Sequence, residues 1–235
     1  MSAVPVAGWE TSVVLQELGK AIAVSFAYTL ASWYLLPRRE FHGSPLYNWL
    51  SCLPIQLVAF PACVALCVAS RPETQALGEW LVAPWSELDG VFERRYLLLI
   101  FGYLTKDVGL YALGGKMDAM YWAHHVLCWT VIVGFFYTNL VCIFIVGASA
   151  MEFGGASQTL HLLSPESEVF DVVHVVTMTL SHVVACGLAA YYVVLPLAPL
   201  AIRAAFGAVV FGLSFERQKY AMQLHAKFAE KKKKA

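Results

Sequence analysis

Two adjacent histidines, His124 and His125, lie inside an apolar run long enough to enter a lipid bilayer. Imidazole takes up and releases protons near neutral pH, so it serves as a general base or a nucleophile. Titratable groups are costly inside a membrane and usually face protein or water there. The pair therefore predicts acid–base or nucleophilic chemistry within the membrane. The alternative is two core histidines bonded to carbonyls of neighbouring helices.

Two carboxylates lie in the apolar runs on either side of this pair. Asp107 precedes the histidines and Glu152 follows them. A carboxylate that orients a histidine completes the base-plus-orienter arrangement of nucleophilic sites, so His124, His125, Asp107 and Glu152 are predicted to be catalytic. The structural alternatives are an ion pair for Asp107 and a hydrogen bond to Ser157 or a histidine for Glu152. Because adjacent helical side chains diverge by about 100°, a partner for Asp107 on another helix is favoured over Lys106.

Several polar residues are predicted to contact a substrate. Tyr103 and Tyr111 lie four positions on either side of Asp107 and share its helical face. Ser157 and His182 complete this predicted set. His161 and His174 are interpreted as satisfied polar residues. The HxxxH and HxxHH spacings of membrane di-iron enzymes are missing from the sequence, so neither a metal nor a cofactor is predicted.

The composition predicts a membrane protein. Hydrophobic residues make up 59% of the 235 residues and charged residues 14%, against roughly 45–50% and about 25% in soluble domains. Several apolar runs reach the ~20 residues that cross a bilayer core. We expect an all-α integral membrane bundle of about seven transmembrane helices, at 13–36, 49–70, 96–114, 120–138, 140–163, 170–194 and 200–215. The formal net charge of zero argues against a nucleic-acid-binding protein.

The predicted organisation is an N-terminal segment (1–12), a transmembrane domain (13–215) and a basic cytosolic tail (216–235). Pro54 and Pro61 are expected to kink the second span. Residues 75–85 are expected to form a short interfacial helix. Ser164 is expected to cap the helix of the sixth span. The six cysteines lie in apolar runs and are interpreted as packing residues.

The spacing of the polar groups resembles that of the TLC family. In the ceramide synthases of that family a span begins with a His-His pair, and an acidic residue follows at the far end of the next apolar stretch. His124-His125 and Glu152 take these places, and Tyr103-Leu-Thr-Lys-Asp107 resembles the aromatic and aspartate upstream of the pair. The resemblance covers about residues 90–215. Gly155 replaces the second acidic residue, so the chain is nearer to the members that are not ceramide synthases and that affect membrane lipid composition.

The resemblance implies a TLC-like bundle with a central cavity for a lipid chain. It implies that His124 or His125 acts as base or acyl acceptor, with Glu152 and Asp107 in support. The implied partners are membrane lipids, with acyl-CoA or a sphingoid base as co-substrate. The alternative function is a non-enzymatic lipid-binding subunit of a larger membrane complex.

The C-terminal residues predict a location. Lys232-Lys233-Lys234-Ala235 matches the dilysine form of retrieval signals to the endoplasmic reticulum. A solvated basic tail held at an anionic lipid surface is the alternative.

Overall fold

The computed structural model describes residues 10–41, 44–83, 90–114, 119–136, 141–196 and 199–234. The chain divides into two compact units, Met1–Ile145 and Val146–Ala235. Helices dominate both units, so the all-α fold class is confirmed. In the described residues, four helices are long and apolar enough to cross a membrane: Thr11–Leu35, Leu46–Ala69, Val91–Gly114 and Glu168–Val194. The protein is therefore a helical membrane protein.

The first unit begins with the helix α1 (Thr11–Leu35). Two short antiparallel strands follow, β1 (Glu40–Phe41) and β2 (Ser44–Pro45). A continuous helical stretch then comprises α2 (Leu46–Pro54), a π-helical turn (Ile55–Ala59) and α3 (Phe60–Ala69). The helices α4 (Leu77–Val82), α5 (Val91–Gly114) and α6 (Ala119–Phe135) complete the unit.

The π-helical turn lies between the two prolines of the second predicted span. Pro54 ends α2 and Pro61 lies in the first turn of α3. Proline has no backbone N–H and clashes with the preceding turn. A wider turn is one way in which a helix accommodates that defect without ending. The helix therefore passes both prolines and remains long enough to cross a bilayer.

Small residues allow α1 and α5 to approach closely. A Cβ atom at Gly102 would lie 2.8 Å from Ser25 Oγ, and one at Gly109 would lie 3.1 Å from Thr29 Oγ1. Ser25 and Thr29 are both buried. Close backbone approach at small residues is the usual way in which membrane helices associate. This contact fixes α5, which carries Asp107.

The expected interfacial helix within 75–85 is short and partly buried. It is α4, and Trp80 within it is fully buried. Trp80 Nε1 donates to Glu93 Oε1 on α5 at 3.1 Å. This bond ties the short helix to the protein core. Trp85 lies outside the described residues.

The second unit consists mainly of α7 (Val141–Leu163), α8 (Glu168–Val194) and α9 (Leu200–Lys234). The prediction that Ser164 caps the next helix is wrong. Ser167 is the N-cap of α8, and its side chain accepts from the backbone N–H of Phe170 at 3.3 Å. Serine is a preferred N-cap residue at either position. The turn at 164–167 places Ser167, and not Ser164, at the start of α8.

The basic tail predicted from residue 216 does not form a separate segment. It is the C-terminal half of α9, which runs without a break to Lys234. Lys231 pairs with Glu166, and Lys232 pairs with Glu168 at 2.6 Å. The low hydropathy of residues 216–235 predicts a polar tail. Lysine, glutamate and alanine also favour helix, so this polar segment continues α9.

Candidate functional site

A group of buried and half-buried side chains in the first unit joins α5 to α2 and α6. We call Ser51, Cys52, Lys106, Asp107 and His125 the polar cluster. Lys106 is 1% exposed and His125 2%. Lys106 lies about 12 Å from the C-terminal end of α5, at 1.5 Å per residue. The cluster therefore lies along a helix of membrane-spanning length and away from its C-terminal end.

An ion pair forms the centre of the polar cluster. The ammonium group of Lys106 contacts the carboxylate of Asp107, its neighbour in sequence. Lys106 is thus a partner of Asp107 as well, because the four methylenes of lysine carry its ammonium group across the divergence of the two Cβ atoms. Asp107 also has partners on other helices, as the divergence argument predicted. Neutralisation by an adjacent cation makes a buried carboxylate tolerable.

Lys106 has three further contacts. Its Nζ donates to Cys52 Sγ at 3.1 Å and to Ser51 Oγ at 3.4 Å. The same nitrogen lies 4.7 Å from the centre of the Tyr103 ring, within the range of a cation–π contact. These contacts hold the cation on the α2 side of Asp107.

The carboxylate of Asp107 lies between a thiol and an imidazole. Cys52 Sγ donates to Asp107 Oδ1 at 3.6 Å, and His125 Nε2 lies 3.9 Å from Oδ2. The second distance exceeds that of a hydrogen bond. A small displacement would close it, and catalytic hydrogen bonds are often long before a substrate binds. The arrangement can therefore orient His125.

The two histidines point in different directions, as adjacent helical residues must. Their ring centres are 5.4 Å apart and the rings are nearly perpendicular, at 87°. His125 faces Asp107, while His124 is half-buried with ring nitrogens 3.8 Å from Cys128 Sγ on the same helix. The geometry thus favours His125 over His124 as the partner of the carboxylate.

The two predicted tyrosines of α5 have different environments. Tyr103 is buried, accepts a hydrogen bond from Gln56 Nε2 at 3.0 Å, and packs edge-on against Phe60 at 5.3 Å. It adjoins the polar cluster through Lys106. Tyr111 is half-buried one turn beyond Asp107. Tyr103 is the tyrosine that the structure brings to the cluster.

The other predicted site residues belong to the second unit. Glu152 is half-buried on α7. Ser157 is buried and donates to Gly154 O at 2.7 Å on its own helix. His182 is buried on α8, with Nδ1 2.9 Å from Gln218 Oε1 on α9. Of the predicted set, Asp107, His125 and Tyr103 are brought together within one unit.

A second polar group lies in the second unit, and we call Asp171, His161, His174 and His225 the histidine cluster. His225 Nδ1 is 2.6 Å from Asp171 Oδ2, and His161 Nε2 is 3.9 Å from Oδ1. His161 and His174 stack with parallel rings at 5.4 Å. The cluster joins α9 to α7 and α8 around a carboxylate that is 2% exposed. In the described residues, no group of three or more histidine, cysteine, aspartate or glutamate side chains could hold a metal ion.

Sequence reasoning missed three members of the polar cluster. Lys106 was set aside as a partner, and Cys52 was interpreted as packing. Ser51 carried no signal, because serine is common in membrane helices. The lysine could have been found, since a Lys-Asp dipeptide within an apolar run requires internal compensation. Cys52 could not, since nothing in its sequence neighbourhood is charged.

Comparisons of the chain with protein-family models, with curated proteins and with solved structures find no match.

Proposed function

We propose that this protein is a multi-pass membrane protein of TLC type that binds a membrane lipid and transfers an acyl group to it at the polar cluster. The observation that carries the proposal is the buried Asp107–His125 contact, joined to the Lys106 ammonium group. The resemblance of the histidine pair and the upstream aspartate to the TLC pattern supports the same assignment.

The chemistry assigned to the cluster follows from its groups. His125 accepts the proton from a lipid hydroxyl or amine as that group attacks an acyl carbonyl, which is general base catalysis. Asp107 orients the imidazole and stabilises the imidazolium, as the third group of a nucleophilic site does. Lys106 supplies the countercharge that makes the buried carboxylate of Asp107 tolerable. The acyl group comes from a thioester such as acyl-CoA.

The membrane organisation in this proposal is a seven-span bundle in the endoplasmic reticulum. Four helices have membrane length, and a shorter apolar helix covers His124–Phe135. Helices α7 and α9 supply the remaining two spans of the proposal. The lysine-rich end of α9 supports both a cytosolic C-terminus and the retrieval signal.

The test is the lipid profile of cells that lack the protein and are resupplied with defined variants. His125→Gln and Asp107→Asn should abolish the change in lipid composition that the wild type restores. Thr130→Ala is the matched control on α6, because its exposed hydroxyl donates to Val126 O of the same helix. Equal profiles for wild type and His125→Gln, with both proteins present at equal levels, would overturn the proposal.

A further inference from the structure

We propose that Cys52 is an acyl acceptor that takes the acyl group from the thioester before the lipid receives it. This inference rests on the proposed function and adds a covalent intermediate to it. The Cys52 thioester would form on α2, next to the base assigned above.

The contacts of Cys52 suit a nucleophile. Its sulfur accepts a hydrogen bond from Lys106 Nζ at 3.1 Å and donates its proton toward Asp107 Oδ1 at 3.6 Å. The carboxylate can therefore receive the thiol proton, and the ammonium group lies beside the sulfur on which negative charge develops during the attack. The thiolate is the reactive form of cysteine, so loss of the thiol proton has to accompany the attack. Cys52 is also partly exposed.

A second, independent observation comes from Asn48. This residue is 7% exposed, and neither its Nδ2 nor its Oδ1 has a hydrogen-bond partner in the described part of the chain. Buried polar side chains are almost always bonded, so an exception requires an explanation. Asn48 lies four residues before Cys52 on α2 and therefore on the same helical face. A donor in that place suits the carbonyl oxygen of an acyl group attached at Cys52.

The first step balances without a redox partner. Cys52 Sγ attacks the carbonyl carbon of the thioester, and its proton passes to Asp107. The tetrahedral oxyanion accepts a hydrogen bond from Asn48 Nδ2. The bond to the leaving sulfur then breaks, and the leaving thiolate takes the proton from Asp107, giving a free thiol and acyl-Cys52. One thioester bond breaks and one thioester bond forms, so the step needs neither an oxidant nor a reductant.

The second step regenerates the thiol. A lipid hydroxyl or amine attacks the acyl-Cys52 carbonyl, and His125 accepts its proton. The new ester or amide forms as the bond to Cys52 Sγ breaks, and the proton returns from His125 to the sulfur through Asp107, which contacts both groups. One carboxylate thereby serves both halves of the reaction.

The experiment uses the purified full chain in lipid nanodiscs, incubated with palmitoyl-CoA that carries a terminal alkyne. We expect a hydroxylamine-sensitive label that peptide mass spectrometry assigns to Cys52. The label should be lost in Cys52→Ala and Cys52→Ser and retained in Cys67→Ala. Cys67 is the matched control because it is fully buried further along the same helical stretch. His125→Gln should increase the label, since it blocks the second step.

Asn48→Leu distinguishes a built site from spontaneous acylation of a reactive thiol. We expect it to reduce the labelling rate at least tenfold, while its unfolding temperature equals or exceeds that of the wild type, because a buried unbonded amide is removed. Equal labelling of Asn48→Leu and wild type would overturn the inference. An unlabelled wild type whose lipid profile still depends on His125 would overturn it as well and leave the proposed function standing. If Cys52 is labelled but the lipid profile does not depend on His125, the result would support Cys52 as an acyl acceptor and overturn the proposed function.

Discussion

Replacing Lys106 alone should destabilise this protein more than replacing Lys106 and Asp107 together. The two side chains form an ion pair in which lysine is 1% exposed and aspartate 11%. Lys106→Met leaves a buried carboxylate without its countercharge. Asp107→Leu leaves a buried ammonium group in the same position. Each single variant therefore retains one unpaired charge in a nonpolar environment.

The magnitude follows from this burial. Exposed ion pairs contribute about 0–1 kcal/mol, whereas removing one partner of a buried pair costs about 3–5 kcal/mol. Replacing a whole buried pair by apolar residues of similar volume is neutral or stabilising by about 1–4 kcal/mol. We expect the free energy of unfolding to fall by about 3–5 kcal/mol in each single variant and to equal or exceed the wild-type value in the double variant.

The assay is reversible unfolding in mixed micelles at increasing SDS, followed by tryptophan fluorescence. Thr105→Val is the matched control, because its hydroxyl bonds to Phe101 O on the same helix. A double variant that loses the sum of the two single losses would refute the reasoning, since the pair would then carry no coupling energy. Single losses below about 1 kcal/mol would show that water reaches the pair.

Two further predictions concern helix packing. His225→Ala should leave Asp171 Oδ2 without its 2.6 Å partner and lower the stability of the second unit by about 1–3 kcal/mol. Amide hydrogen exchange in the C-terminal half of α9 should then become faster. The control is Met222→Ala at an exposed position, which should leave the exchange rate unchanged. Equal exchange rates in the two variants would contradict this prediction. Gly102→Ala should lower thermal stability, because its Cβ would lie 2.8 Å from Ser25 Oγ. Gly19→Ala has open space and should raise stability by up to about 1 kcal/mol; the opposite order would contradict close packing of α1 and α5.

The helical elements could be predicted from the sequence because their signals are local. Apolar runs of membrane length gave the positions of α1, α5 and α8 closely. The start of α8 was harder to predict, because Ser164 and Ser167 are both suitable N-cap residues. The sequence did not predict that α9 continues to Lys234. Hydropathy indicates whether a segment favours water or lipid, and it does not indicate its backbone conformation.

The site was harder to predict because its contacts join residues far apart in sequence. Asp107 and His125 were identified by the cost of titratable groups in a membrane, and the structure places them 3.9 Å apart. The contacts of Cys52 depend on packing between α2 and α5, which no local pattern encodes. The directions of the Cβ atoms disfavour a pairing of Lys106 with Asp107, but the long lysine side chain brings its ammonium group to the carboxylate.

Transfer of an acyl group by the purified protein tests the central claim most directly. The full chain in nanodiscs that contain membrane lipids would receive labelled acyl-CoA, and both acylated lipid and released thiol would be measured. We expect equal amounts of both products with the wild type and a loss of about a hundredfold or more with Asp107→Asn at matched folded concentration. Turnover that is undiminished in Asp107→Asn, or a wild type that releases neither product, would contradict it.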